Sequence, residues 1–379
     1  MKKKLFIVLA VIMALSLALA ACGGGTEPAP AEPADPAPAP AEPAPAPEPT
    51  APAEPVETVT LTLMNHETPL STTALMLDRW IAAVEEASGG TIKIEAHHGD
   101  MGGPRDTYNF VVDGAADIGF GLPSFYPGQF PATDVIALPF LGAKNSMQAG
   151  HTNVEMYETT PELQAEWTDV KMICMYTNTV APLITKDKKI EKLEDLKGYN
   201  IRTIGGPVTE FMKLAGANPM TVDLGQIYPD FENNVLNAVT AVGWEAVEAT
   251  KIYELGTYFL DYEMQVNPTF IIMNKAKYES LSDEHKAIID GLGGHAAVDI
   301  QGEMREEARQ KVYDEVNAAG GEVYTLSDSE KERFRELGSE ASAAWRDQVN
   351  ATGVDAEALE AKCAGLFEKY AAQYPYTFN

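Results

Sequence analysis

One stretch of the chain, GYNIRTIGGP at residues 198–207, sets a single arginine, Arg202, inside a short apolar run that stops at two glycines and a proline. A planar guanidinium grips a carboxylate through two parallel hydrogen bonds, and such a pair strengthens where water is excluded. Arg202 is therefore a candidate anion-binding group. The spacing fits equally a salt bridge to one of the chain's own acids, or a side chain that snorkels from an edge, and the residues by themselves leave these readings open. Other chemistry is sparse. No GxSxG elbow, GxxxxGK[ST] phosphate loop or HExxH zinc helix occurs in the sequence, so hydrolase and nucleotide chemistry lose support. His97 and His98 are adjacent at the end of a strand-like segment. Neighbours on a strand point to opposite faces, which argues against a shared metal.

The composition bounds where such a group can work. Lys2, Lys3 and Lys4 precede an uncharged apolar stretch from Leu5 to Ala21 that ends in small residues and Cys22, which is the order of a secretion signal. The Leu19–Cys22 stretch, LAAC, resembles a bacterial lipobox, in which the cysteine is lipidated and becomes the first mature residue; an uncleaved anchor helix is the alternative, at the short edge of what spans a bilayer. From Gly23 to Glu57 the chain is mostly Ala, Pro and Glu with no Lys or Arg, a tether that forms no core. At about 3.1 Å per residue it would reach on the order of 100 Å. Removing the three N-terminal lysines from the 28 basic residues leaves 25 against 56 acidic ones. A surface of that sign repels nucleic acid and anionic lipid, so an anion needs a local, enclosed positive spot. Cys174 and Cys363 remain, far apart and without metal-ligand spacing; they either pair as a disulfide or stay as two buried thiols.

The elements that must position Arg202 emerge from periodicity. TVTLTLM at 58–64 alternates as a strand with Val59, Leu61 and Leu63 on one face. Leu77, Trp80, Ile81 and Val84 then mark a helix ended by Gly89 and Gly90, and TIKIEA at 91–96 reads as a second strand. Strand, helix, strand is the unit of parallel sheets. A similar arrangement then occurs twice: MGGP at 101–104 leads through a helix to the strand ADIGFG at 116–121, and IGGP at 204–207 leads through helices to AVGW at 241–244, read as a returning strand. Two similar halves imply two similar lobes. Gly-Gly-Pro allows a sharp turn and a preorganised helix start, and helix starts at the carboxyl ends of parallel strands favour anions, although the motif alone is more often just a turn. In the last third, Ser282 and Ser327 read as helix caps, and residues 294–318 read as one long charged helix before a short strand at 320–325. Its charges suit a solvated surface helix; its length would let it brace both lobes.

From Val59 to about Phe367 the chain resembles the substrate-binding proteins of tripartite ATP-independent periplasmic (TRAP) transporters, the DctP-like family. The resemblance rests on GGTIKIEAHHGDMGG, DGAADIGFG, FPATDVIALPFL, LEDLKGYNIR and FIIMNKAKYESLS taken in order. It implies an α/β, two-lobed periplasmic-binding-protein-like fold with a ligand cleft between the lobes and a long bracing helix. The lobes would comprise 58–181 with 268–305 and 182–267 with 306–379. It implies that Arg202, the arginine of the LKG-x-x-x-R motif, binds the carboxylate of a small organic acid. By position it adds Asn65 and His66, which could instead cap the next helix, then Pro123, Ser124 and Gly205, and Leu224, Trp244 and Asn267 from the second lobe and hinge. Tyr228 and Trp244 would line the site or sit in the core. Many relatives carry a second arginine where this chain has Pro182, which favours a monocarboxylate over a ligand with several carboxylates. Some bridge the ligand through a cation, for which Glu245 is the candidate; no cofactor is implied. The partners implied are the membrane permease and, through Cys22, the membrane itself. The rival readings are a module for an ATP-driven importer or sensor kinase, and an exported enzyme, for which the sequence offers only His66 and Glu245 in no recognisable arrangement.

Overall fold

The computed structural model describes residues 58–376; the signal segment, Cys22 and the tether lie outside the described residues. Among the described residues eleven strands build two sheets. The first runs in the order β2 (Ile92–His98), β1 (Val59–Asn65), β3 (Ile118–Gly121), β10 (Pro268–Asn274), β4 (Val170–Thr177). The second runs β11 (Glu322–Tyr324), β9 (Tyr258–Leu260), β5 (Leu183–Thr185), β8 (Ala238–Val239), β6 (Asn200–Thr203), β7 (Asn218–Thr221). Each sheet is parallel except for one strand, β10 in the first and β5 in the second. Those two strands are the ones that have just crossed from the other sheet, since β5 follows β4 and β10 follows β9.

Alternation along β1 explains why the first sheet is covered on both faces. Leu61 and Leu63 pack with Leu77, Trp80, Ile81 and Val84 of the helix Thr72–Ala87, while Met64 turns to the opposite face beside Tyr108, Val111 and Phe130. A strand buried on both sides belongs to a parallel sheet. Ser71 starts the helix by accepting from the Ala74 amide at 3.1 Å, and Gly89 and Gly90, with φ of 58° and 82°, turn the chain back into β2. Cys174 and Cys363 are both buried, free thiols, in different core clusters.

Three sequence-based readings change. The long helix, Gly294–Ala318, is not a solvated surface helix. At about 1.5 Å per residue it spans nearly 40 Å. Ala297 and Val298 are buried in the core of the first sheet, Val312, Tyr313 and Val316 in that of the second. Between them Arg305 and Arg309 are buried against Glu245 and Asp261, so the charges that suggested solvent are matched inside the molecule. Composition shows the charges and not their partners. AVGW is not a strand: the strand is Ala238–Val239, and Trp244 opens the helix Trp244–Thr250. Finally, although Asp328–Ala341 packs through Phe334 and Ala341 with the second sheet, the last helix, Ala356–Gln373, buries Leu359, Cys363 and Phe367 with Ala149 and Met156 of the helix Ser146–Thr159, on the first-lobe side of the proposed division.

Candidate ligand-binding site

The carboxyl ends of the strands of both sheets face one cavity with about 670 Å³ of space between protein atoms. It lies where open α/β sheets bind ligands. One wall follows β1 and β3 and carries His66, Glu67, Phe120, Leu122 and Phe125. The other follows β6, β7 and β8 and carries Arg202, Asp223, Leu224, Val242 and Glu245. Asn178, Asn267 and Thr269 come from the crossing segments, and Arg305 comes from the spanning helix. The walls meet through Thr72 Oγ1, which donates to the Glu245 carbonyl at 3.3 Å, and through an Arg105–Asp223 ion pair at 3.4 Å.

Arg202 is only 4% exposed. Its strand, β6, lies between β7 and β8, which aims the side chain at the loops leaving both neighbours. Nε donates to the Val222 carbonyl at 3.0 Å, and Nη1 to the carbonyls of Thr240 at 3.2 Å and Ala241 at 2.8 Å. Among the described residues no carboxylate forms an ion pair with Arg202, and Nη2 has no hydrogen-bond partner. Burial lowers its pKa to about 10, with Asp223 opposing the shift, so it remains a cation at neutral pH. Three carbonyls thus fix the guanidinium plane and leave the two N–H bonds of Nη2 for a guest. The expected two-nitrogen fork is reduced here to one nitrogen, because Nε and Nη1 are already engaged.

On the facing wall, His66 stacks on Phe120 with ring centres 5.8 Å apart and meets the edge of Phe125 at 5.5 Å. Burial pulls its pKa down to about 4, with the Phe120 backbone opposing the shift, so the ring is neutral; among the described residues its Nδ1 has no hydrogen-bond partner within normal geometry. Glu67 is shifted the other way: burial pushes its carboxyl above the usual range, against hydrogen bonds from Ser71 and Thr73 and the charge of Arg305.

The sequence-predicted residues divide. Arg202, His66, Leu224 and Asn267 line the cavity. Pro123, Ser124 and Gly205 line a neighbouring one, which shares Ile204 and Asn267 with it. Asn65 is buried behind the wall and caps no helix: its Nδ2 meets His98 Nδ1 at 3.0 Å and its Oδ1 accepts from the Glu67 amide at 3.1 Å, holding the turn that carries His66. Trp244 is not on the wall; it packs edge-on against Tyr313, 4.4 Å between ring centres, in the second core. Tyr228 likewise stands outside this cavity. Glu245 does line it, but its oxygens take Arg305 Nη1 and the backbone and hydroxyl of Thr179, so they are occupied, and no group of metal-ligating side chains occurs among the described residues. Sequence reasoning missed Arg305, Asp223, Phe120 and Phe125. A signal for Arg305 existed: Val298, Arg305, Arg309, Val312 and Val316 recur at helical spacing, a core stripe interrupted by two arginines.

Two sheets presenting their carboxyl ends to one enclosed cavity, with a helix spanning both, define a two-lobed solute-binding protein. The particular family is given by comparison: the profile described as "Bacterial extracellular solute-binding protein, family 7" (DctP) matches residues 64–348, and the chain belongs to that family. It is thus a solute-binding protein of the TRAP type, extracytoplasmic, and not an enzyme. A TRAP solute-binding protein from Rhodoferax ferrireducens, solved with copurified benzoate, is similar at TM-score 0.78 and 25% identity, over 84% of this chain and 100% of that one. A marine-metagenome TRAP protein specific for aromatic acid ligands, solved with 3-hydroxybenzoate, is similar at 0.78 and 26%, over 83% and 99%. The 2,3-diketo-L-gulonate-binding periplasmic protein of Escherichia coli is 23% identical, over 64% of this chain and 74% of its own length. Among the described residues no helix is long and apolar enough to cross a membrane.

Proposed function

We propose that this chain captures a small organic monocarboxylate, Arg202 taking the carboxylate, and delivers it to TRAP permease subunits in the membrane. The observation that carries the reading is the state of Arg202: buried, oriented by carbonyls, and in an ion pair with no acid among the described residues of this strongly acidic chain. A charge held this way is stabilised by an incoming anion, and expulsion of water as the lobes close strengthens the pair. Two crossing segments form the hinge, joined where the Asn178 amide meets the Asn267 carbonyl at 3.2 Å and the Ala181 amide meets that of Gln265 at 3.2 Å. Phe120, Leu122 and Phe125 suit an apolar or aromatic body, such as those of the benzoate and 3-hydroxybenzoate held by the two similar structures.

Calorimetry on the purified chain with aliphatic and aromatic mono- and dicarboxylates tests this. Arg202→Gln is expected to weaken binding of every acid that the parent binds by at least about thirtyfold, as for loss of one partner of a buried charge pair, with the circular dichroism spectrum retained. Unchanged affinity would remove the reading. Anchoring rests on Cys22 alone: Cys22→Ser is expected to move the protein from the membrane to the soluble fraction, and persistent membrane association would argue for an uncleaved helix instead.

A further inference from the structure

Arg305 presents a different face to the same cavity. It is 2% exposed and its Nη1 is held by Glu245, yet Nε and Nη2 are buried with no hydrogen-bond partner among the described residues. Its guanidinium lies 5.2 Å from the ring centre of Tyr176, and Gln301, one helical turn earlier, has neither amide atom satisfied among the described residues. Native interiors rarely leave so many donors and acceptors unmet, and where they do, an absent ligand or its ordered water is the ordinary reason. By contrast Arg309, one turn later, uses Nε, Nη1 and Nη2 on Tyr313, Lys144 and Asp261.

We propose that Arg305 is a specificity-determining contact: with the carboxylate on Arg202, Nε and Nη2 of Arg305 donate to a second, uncharged oxygen of the same ligand, a hydroxyl or a carbonyl. This deepens the reading of Arg202 and rests on it. The second oxygen is uncharged because the cation is already shared with Glu245, while Asp223 and Glu67 stand on the same cavity. A second carboxylate would meet Glu245, which already holds this guanidinium; a neutral acceptor gains the donors without that repulsion. The ligand class is therefore hydroxy- or oxo-monocarboxylates, ahead of both unsubstituted acids and dicarboxylates.

The test is calorimetry on the full chain with two matched pairs, benzoate with 3-hydroxybenzoate and propionate with lactate, and with isophthalate as the dicarboxylate. The parent should bind the hydroxylated member of at least one pair roughly tenfold or more tightly, the scale of a hydrogen bond to a charged group, and isophthalate more weakly than 3-hydroxybenzoate. Arg305→Lys keeps a cation for Glu245 but removes Nε and Nη2, so it should erase the ratio between the hydroxylated acid and its unsubstituted partner. If that variant does not fold, the charge-neutral double variant Arg305→Gln with Glu245→Gln is read in the same way. No preference in either pair, a preference that survives substitution, an equal fall of both members, or tighter binding of isophthalate would each overturn the proposal. Failure of the Arg202 reading is seen separately: Arg202→Gln should weaken both members of a pair by the same factor, and no change in either would sink that reading while the parent's ratio still reports on Arg305.

Discussion

Arg202 and Arg309 are withdrawn from water to almost the same degree, 4% and 2% exposed, yet their surroundings differ in kind. Arg309 has Asp261 at 2.6 Å, the Tyr313 hydroxyl at 3.1 Å and the Lys144 carbonyl at 3.0 Å, so every nitrogen is engaged and its charge is cancelled. Arg202 has three carbonyls and no carboxylate. Burial depresses the ionisation of Arg202 to about 10, whereas Asp261 and Tyr313 hold Arg309 above the usual arginine range. The lesson concerns reading any acidic protein. A buried guanidinium matched by an acid holds elements together, and one matched only by dipoles awaits an anion.

That contrast can be broken in measurable ways. The largest expected effect is on stability: Arg309→Met leaves Asp261 buried and unpaired and should cost about 3–5 kcal/mol, read as a lowered denaturant midpoint, whereas Arg202→Gln should cost less stability than that and far more affinity. Equal destabilisation by the two would dissolve the distinction. Next comes pH. The His66 pKa falls from 6.5 in the unfolded chain to about 4 in the folded one, so between those values the unfolded state binds more protons. The stability contributed by His66 is therefore complete above pH 6.5 and is lost as pH falls towards 4. The loss should reach up to about 3 kcal/mol, and the part of the melting-temperature drop due to His66 should vanish in His66→Phe. A His66→Phe profile that matches the parent across that window would show that the ring is not desolvated as described. The smallest effect sharpens the comparison from the other side. Trp244→Phe should cost about 1–3 kcal/mol by opening a void in the second core and leave affinity within a factor of two or so, since Trp244 lies off the cavity wall. An affinity loss as large as that of Arg202→Gln would return Trp244 to the site.

Much of the architecture was legible because it is local. The alternation of Val59, Leu61 and Leu63, the helical spacing of Leu77, Trp80, Ile81 and Val84, and the glycines at 89 and 90 each dictate an element within a few residues, and Ser282 and Ser327 cap their helices as their sequence context implies. AVGW misleads for the same reason, because a short apolar run of that kind is indifferent between a strand and a helix start until tertiary contacts choose. Within the site, Arg202 stands out as a charge in an apolar run, and the family motifs bring His66, Leu224 and Asn267 to its neighbourhood. Asn65 shows the limit of positional transfer: it neighbours His66 in sequence but faces the opposite way, since alternate side chains of a strand end on opposite faces.

What the chain determined by itself was the set of local elements, the excess of negative charge and the presence of one guanidinium where an acidic surface would not place it. Which arginine would be neutralised was decided only by the fold. Glu245 reaches Arg305 across 60 positions and Asp261 reaches Arg309 across 48, while Arg202 meets carbonyls 20 to 39 positions away and forms no ion pair among the described residues. Charge pairing depends on distances in space, which periodicity and composition do not encode, so the same residue type became a brace on one helix and an open anion site on one strand.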